Sequence, residues 1–251
     1  MILSSLIVGK GPVVVILHGL FGEGVNWLGI SKELASRFEV HLIDQRNHGK
    51  SFHDPEHNYF VLAQDLNNYI KEKRISTFSL IGHSMGGKVA INFALLYSNL
   101  DRLIIVDILP KEYKEQNNHI FKGLREVINK AKSRKEASCI LSTYTNDIVI
   151  TNFLLKGLFF SINNEPQLKF NLSFLEKNMN NMLSFPEIKL PYDNNIYFIA
   201  GSKSNYIQTS DIDYMKLLFP FSQFIEIHDA GHWVHFDQKE QFLHIVNKIL
   251  K

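Results

Sequence analysis

The stretch FSLIGHSMGGKVA, residues 78–90, decides the fold of this chain. An apolar run at 78–81 leads into the pentapeptide GHSMG at 82–86, and a helix-forming run follows it. The pentapeptide has the G-x-S-x-G form of a nucleophile elbow, a sharp strand-to-helix turn with a serine at its tip. The glycines relieve the crowding that such a turn produces. The motif predicts nucleophilic chemistry at Ser84, with a glycine-rich turn whose serine only caps the helix as the alternative.

The composition fits one sizeable core and excludes several classes of protein. The chain has 251 residues, of which 45% are hydrophobic, so one domain with a smaller appended unit is expected. A formal net charge of +2 is well below the basic excess of a nucleic-acid binder, and no nucleic-acid partner is predicted. The single cysteine, Cys139, excludes an intramolecular disulfide framework.

The apolar N-terminal stretch, residues 1–21, resembles a signal or membrane segment only in part. Lys10 and the glycines and proline around it divide the stretch into two short pieces, and no basic residues precede the first. A pair of strands joined by the Lys-Gly-Pro turn is the better interpretation. The chain is therefore predicted to have no membrane span and to be cytoplasmic.

Strand-like and helix-like segments alternate along most of the chain, which predicts an α/β fold. Such βαβ periodicity predicts a mostly parallel sheet with helices on both faces. Strands are predicted at 13–17, 40–43, 77–81, 103–106, 196–200 and 224–227. Helices are predicted at 27–37, 60–73, 87–97, 212–218 and 238–249.

The alternation stops after Pro110 and resumes near residue 196. Between them the sequence is rich in Lys, Asn and Glu, with helical spacing at 120–131, 136–144 and 148–158 and no clear strand. We expect a helical lid at 111–184 inserted in a core formed by 1–110 and 185–251. Its basic residues are most simply a solvated face, with a dock for coenzyme A phosphates or an acyl carrier protein as the alternative. They are Lys122, Arg125, Lys130, Lys132, Arg134 and Lys135.

The predicted general base is His232. A serine hydroxyl needs a base with a pKa near 7 to become a nucleophile, and histidine is that base. His232 lies in DAGHW, residues 229–233, after a predicted strand and before the last helix. It is therefore expected at the same edge of the sheet as Ser84. The other histidines show no metal-ligand spacing, and no metal site is expected.

The acid that orients this base has three candidates. The loop after the strand at 196–200 reads GSKSNY and has Ser204 where an aspartate is expected. Asp107 ends the strand at 103–106, which we expect to lie between the Ser84 strand and the strand after the lid. Asp107 is therefore preferred to Asp211 and Asp213, although all three keep the order Ser, Asp, His.

Two backbone N–H groups are predicted to form an oxyanion hole. The segment HGLFG, residues 18–22, follows the first long strand, in the position that supplies one donor. Leu20 is the preferred donor there, with Phe21 as the second choice. The other donor is Met85, directly after the nucleophile.

Five segments together resemble the α/β-hydrolase superfamily and, more narrowly, the YbfF-like bacterial esterases. They are HGLFG (18–22), DQRNHGKS (44–51), GHSMGG (82–87), DILP (107–110) and AGHWVH (230–235). The resemblance implies a catalytic triad of Ser84, Asp107 and His232, with a serine in the loop after the lid that matches Ser204. It implies hydrolysis of short acyl esters and, in some members, acyl-CoA thioesters, with no cofactor.

Three other functions are compatible with these motifs. Similar segments occur in the carrier-protein methyl-ester esterase of biotin synthesis and in a menaquinone-pathway lyase of the same fold. A non-catalytic ligand sensor on this fold is the third. Small-molecule esters or thioesters are the expected partners in the leading hypothesis, a serine hydrolase that forms an acyl-serine intermediate.

Overall fold

The computed structural model describes residues 1–97, 99–114 and 118–251, and a seven-stranded sheet forms its centre. The strands of the protein are β1 (Ser5–Val8), β2 (Val13–Leu17), β3 (Glu39–Ile43), β4 (Phe78–His83), β5 (Leu100–Val106), β6 (Leu158–Phe160), β7 (Pro166–Leu168), β8 (Ile196–Gly201) and β9 (Ser222–Ile227). The order in the large sheet is β1-β3-β2-β4-β5-β8-β9, and every neighbouring pair is parallel except β1 with β3. The predicted mostly parallel α/β sheet is confirmed.

Helices cover both faces of the sheet. One core contains Leu66 and Phe93, and the other contains Trp27 and Phe242 on the opposite face. All six residues of β4 are buried, which explains its unbroken apolar run, since a central parallel strand has no solvated face. The helices are α1 (Leu28–Leu34), α2 (Tyr59–Glu72), α3 (Met85–Leu96), α4 (Asn118–Lys130), α5 (Arg134–Thr145), α6 (Ile148–Lys156), α7 (Leu172–Lys177), α8 (Met179–Leu183), α9 (Thr209–Leu218), α10 (Val234–Asp237) and α11 (Lys239–Ile249).

Two N-terminal strands form on either side of the Lys-Gly-Pro turn, as predicted, but they are not neighbours in the sheet. β3 lies between them, with Ser5 of β1 antiparallel to Ile43 and Val13 of β2 parallel to Glu39. The connecting loop crosses the end of β3 with φ of 82° at Gly9, where a Cβ would lie 2.2 Å from the Phe38 carbonyl oxygen. Only glycine fits this approach, so the turn separates the strands instead of forming a hairpin. Among the described residues, no helix is long and apolar enough to cross a bilayer.

The segment between β5 and β8 contains the predicted helices and also a short hairpin. α4, α5 and α6 confirm the helical spacing, and α7 and α8 follow. The expectation of no strand there is wrong, because β6 and β7 pair antiparallel, with Leu158 opposite Leu168. The turn between them has Asn164 at φ 61°. Strands of three residues are too short to show alternation in the sequence, which explains the error.

Candidate active site

The elbow places Ser84 at a strained turn between β4 and α3. Its backbone has φ 53° and ψ −122°, a conformation that non-glycine residues rarely adopt. A Cβ on Gly82 would lie 2.3 Å from the Gly86 carbonyl oxygen, and one on Gly86 would lie 2.6 Å from that of Leu17. The flanking glycines are therefore steric requirements of the turn, as the sequence pattern predicts. The half-buried Ser84 side chain lines the main cavity.

Asp107 lies directly after β5, and its carboxylate is fully buried. Its Oδ2 atom accepts a hydrogen bond of 2.7 Å from Nδ1 of His232 and a second from the Ser204 hydroxyl. Its Oδ1 atom accepts a bond of 3.1 Å from the Gly201 N–H. Three donors compensate for the burial of this carboxylate, since an unpaired buried charge is strongly destabilising. Asp107 thus holds the imidazole, and Ser204 and Gly201 hold Asp107.

The two alternative acids are placed elsewhere. Asp211 bonds Nζ of Lys111 at 2.6 Å and accepts the Gln208 N–H at the start of α9. Asp213 is exposed on α9. β5 lies between β4 and β8, as expected, so Asp107 reaches the imidazole from the neighbouring strand end.

His232 follows β9 and lines the same cavity as Ser84. Because Nδ1 donates to Asp107, Nε2 is left as the proton acceptor of the neutral ring. The neighbouring His83 donates from Nε2 to the His232 carbonyl oxygen at 2.9 Å. Burial, with a smaller contribution from His232, holds the pKa of His83 well below its usual value, so His83 is a neutral support.

The loop at 18–22 and the start of α3 provide the candidate oxyanion hole. Neither the Leu20 nor the Met85 N–H donates to an acceptor within residues 1–97, 99–114 and 118–251. Phe21, the second choice, is ruled out because its N–H donates to Nε2 of His48 at 3.2 Å. His48 donates in turn from Nδ1 to the Arg46 carbonyl oxygen.

Two buried histidines hold the loop at 18–22 in place, a role the sequence did not indicate. His18 donates from Nδ1 to the Gly19 carbonyl oxygen at 2.8 Å and accepts the Gln45 N–H at Nε2. Burial lowers the pKa of His18, and burial with His18 and His57 lowers that of His48 well below its usual range. Both rings must stay neutral, because each uses one nitrogen as an acceptor.

The cavity has a volume of about 370 Å³, within the usual range for a small-molecule site. Most of its lining is apolar, including Ile120, Phe153 and Met182. Its cationic side chains are Lys88, Lys114 and Lys156, and no arginine from the described part of the chain lines it. The lining does not include four aromatic residues of the segment between β5 and β8, namely Phe159, Phe160, Phe170 and Phe174.

Lys88, one helical turn after Ser84, links α3 to the C-terminal end of residues 111–184, the segment between β5 and β8 that is called the insertion below. Its Nζ donates to the carbonyl oxygens of Leu183 at 3.0 Å and Ser184 at 2.9 Å, and it lies 4.8 Å from the Tyr113 ring centre. Burial lowers the pKa of Lys88 to about 7, a shift that Glu112 partly opposes. The sequence alone identified no role for this lysine.

Half of the predicted basic patch is engaged within the protein. Arg125 pairs with Glu176, Lys130 pairs with Glu126, and Arg134 donates to backbone carbonyl oxygens of 155 and 158. These contacts fix helices of the insertion and leave less charge for a phosphate ligand. Among the residues that the structure describes, no three His, Cys, Asp or Glu side chains are grouped to hold a metal ion.

The buried histidines predict that acid destabilises the fold. Burial lowers the pKa of His57 to about 3, and the charge of Arg46 adds to this shift. Burial also lowers the pKa of His235 to about 3, with a smaller contribution from His232. Between pH 6.5 and 3 the unfolded chain binds protons that the native state does not, so the free energy of unfolding falls as pH falls. Each such proton contributes about 1.4 kcal/mol per pH unit.

Urea unfolding at pH 6.5 and 4.5 tests this expectation. His235→Leu removes a ring stacked 3.7 Å from Trp27, so its absolute stability changes, but its pH slope should flatten by about 1.4 kcal/mol per unit. His244→Leu, at an exposed position of α11, is the matched control. An unchanged slope in His235→Leu would show that the ring binds its proton over the same pH range in the folded and unfolded states, which would contradict the prediction.

Comparisons with known proteins agree with this fold. A family model described as the alpha/beta hydrolase fold matches residues 12–138. The sn-1-specific diacylglycerol lipase ABHD11 of Danio rerio is 36% identical over 94% of this chain and 77% of its own. Esterase YbfF of Escherichia coli is 30% identical over 94% and 92% of the two chains.

Among solved structures, a marine microorganism esterase superposes with a TM-score of 0.94. The two sequences are 35% identical, and the match covers 99% of each chain. The family match, these relatives and the strand order lead to one conclusion. The chain belongs to the α/β-hydrolase family, within a group of relatives described as esterases and lipases.

Proposed function

We propose that this protein is a serine esterase that cleaves carboxylic esters through an acyl-serine intermediate. The observation that carries the proposal is the 2.7 Å bond from His232 Nδ1 to the buried Asp107 carboxylate, because the His232 ring lines the same cavity as Ser84. This arrangement supplies a base and its orienting acid, and the base lines the same cavity as a strained serine. Ser84, His232 and Asp107 are the proposed triad, and residues 111–184 are the proposed lid of a core formed by 1–110 and 185–251.

The reaction has two halves. Ser84 Oγ attacks the ester carbonyl carbon while His232 Nε2 takes the hydroxyl proton, and the oxyanion accepts hydrogen bonds from the Leu20 and Met85 N–H groups. When the tetrahedral intermediate collapses, the bond to the alcohol oxygen breaks and the imidazolium gives that oxygen its proton. Water then attacks the acyl-serine by the same route and releases the acid.

The cavity favours an apolar acyl ester as substrate. Most of the side chains that line it are apolar, and its cations are three lysines, of which the buried Lys88 is bonded to backbone carbonyl oxygens. Acyl thioesters fit the same chemistry and form the second substrate class of the proposal. Recognition of coenzyme A or an acyl carrier protein is less supported, because Arg125, Lys130 and Arg134 already have partners. A cytoplasmic location is part of the proposal.

The other functions considered have weaker support. A lyase that binds a multiply charged substrate needs strong cations in the cavity, and the described lining has no arginine. A ligand sensor has no need for a strained serine in the same cavity as a paired imidazole, and the strained backbone of Ser84 costs stability. The carrier-protein methyl-ester esterase differs from the proposed function only in its leaving group and carrier.

A substrate panel tests the proposed function. We expect turnover of p-nitrophenyl esters with acyl chains of increasing length, with a pre-steady-state burst of p-nitrophenol equal to the enzyme concentration when deacylation is slower than acylation. An acyl-CoA series run alongside measures the thioester class. Absence of turnover across both series in folded protein would contradict the proposal.

A further inference from the structure

The ring of Tyr206 packs face to face on the proposed catalytic imidazole. Tyr206 lies in the loop after β8, and its ring centre is 4.0 Å from that of His232, with an angle of 18° between the planes. The ring of His83 is also near this imidazole, with its centre 4.7 Å from that of His232 and an angle of 42° between the ring planes. The bond to Asp107 fixes one edge of the imidazole but permits rotation about the N–H···O axis. Contact with a flat ring opposes that rotation.

The backbone of Tyr206 is itself held on both sides. Its N–H donates at 3.3 Å to the Ser204 hydroxyl, the group that also donates to Asp107. Its carbonyl oxygen accepts a hydrogen bond of 3.0 Å from the hydroxyl of Tyr113. The loop that carries the stacking ring is therefore bonded to the acid and to the beginning of the insertion.

Tyr113 connects both ends of the insertion to the triad. Its hydroxyl accepts the Leu109 N–H at 2.9 Å, two residues after Asp107, and its own N–H donates to the Leu183 carbonyl oxygen at 3.0 Å. Burial raises the pKa of the Tyr113 phenol, so the hydroxyl keeps the proton that it donates to Tyr206. Movement of either end of the insertion changes the support of the Tyr206 loop.

We propose that Tyr206 and Tyr113 are positioning residues: the Tyr206 ring holds the plane of His232, and the Tyr113 hydroxyl holds Tyr206 and so couples the insertion to the base. This inference rests on the proposed esterase function. Neither tyrosine exchanges a proton with the substrate. Their effect is expected mainly in kcat, because they set the geometry of proton transfer. Both side chains also line the cavity, but its other apolar walls stay in place when either is replaced.

Variants of Tyr206 test the stacking contact. Tyr206→Leu should lower kcat for a p-nitrophenyl ester by about 10- to 100-fold with little change in KM. Tyr206→Phe keeps the ring and should recover kcat to within about threefold of the native value, since the Tyr206 hydroxyl has no hydrogen-bond partner among the described residues. Equal losses in both variants, or unchanged kcat in Tyr206→Leu, would overturn the role of the ring.

A double-mutant cycle tests the link through Tyr113. Tyr113→Phe removes only the hydroxyl and should lower kcat by about tenfold. Added to Tyr206→Leu, it should cause little further loss, because its effect passes through the ring already removed. Losses that multiply would show that Tyr113 acts independently of Tyr206 and would overturn the coupling.

Two controls separate this inference from loss of folding and from failure of the proposed function. Phe219→Leu removes a buried aromatic ring outside the cavity and should leave kcat unchanged. Native protein that turns over ester and is labelled at Ser84 by a fluorophosphonate supports the esterase function whatever the tyrosine variants do. Under that result, a kcat unaffected by Tyr206→Leu overturns the positioning role alone.

Discussion

Ser84→Ala is expected to lower kcat for ester hydrolysis by about 10⁶-fold, since removing the nucleophile of a triad costs about as much as removing the whole triad. The variant loses the oxygen that is proposed to form the acyl intermediate, while the proposed oxyanion donors and the cavity stay in place. The measurement is steady-state turnover of a p-nitrophenyl ester, with protein purified from a host lacking its own esterase background.

Ser79→Ala is the matched control for that variant. Ser79 lies on the same strand, β4, is buried, and does not line the cavity. It should therefore keep native kcat. Retention of a tenth or more of the native rate by Ser84→Ala would contradict nucleophilic catalysis at this serine.

Asp107→Asn is expected to lower kcat by about 10⁴-fold. The amide nitrogen cannot accept the Nδ1 proton of His232, so the imidazole loses the tautomer in which Nε2 takes a proton from Ser84. The buried site also loses the charge that stabilises the imidazolium. KM is expected to change little, because Asp107 lies outside the cavity lining.

Asp211→Asn and Asp213→Asn are the controls for the acid. Asp211 is paired with Lys111, and Asp213 is exposed, so each should leave kcat within about threefold of the native value. The reverse pattern, with a large loss in Asp211→Asn or Asp213→Asn and a small one in Asp107→Asn, would reassign the acid.

The sequence predicted the parts of the fold and site that depend on local pattern. The elbow at Ser84 carries its own steric signature in Gly82 and Gly86, so its geometry follows from adjacent residues. The position of Asp107 followed from strand order, because parallel strands end at one edge of the sheet. The apolar runs of the central strands have the same physical origin, burial on both faces.

Features that arise from long-range contact were not predictable. Tyr113 and Tyr206 are 93 residues apart and meet only through the folded insertion. The crossing of the N-terminal loop over β3 depends on close backbone approach at Gly9, which the Lys-Gly-Pro turn did not indicate. The hydrogen bond from the Phe21 N–H to His48 joins two loops whose residues are 27 positions apart in the sequence.

The central claim is that the Ser84 hydroxyl is activated by His232, and covalent labelling tests it most directly. Folded native protein exposed to a fluorophosphonate and analysed by intact mass and peptide mapping should carry a single adduct, located on Ser84. Labelling should be much slower in Asp107→Asn and absent in Ser84→Ala. An unchanged mass after prolonged exposure, or an adduct on another residue that persists in Ser84→Ala, would contradict the account.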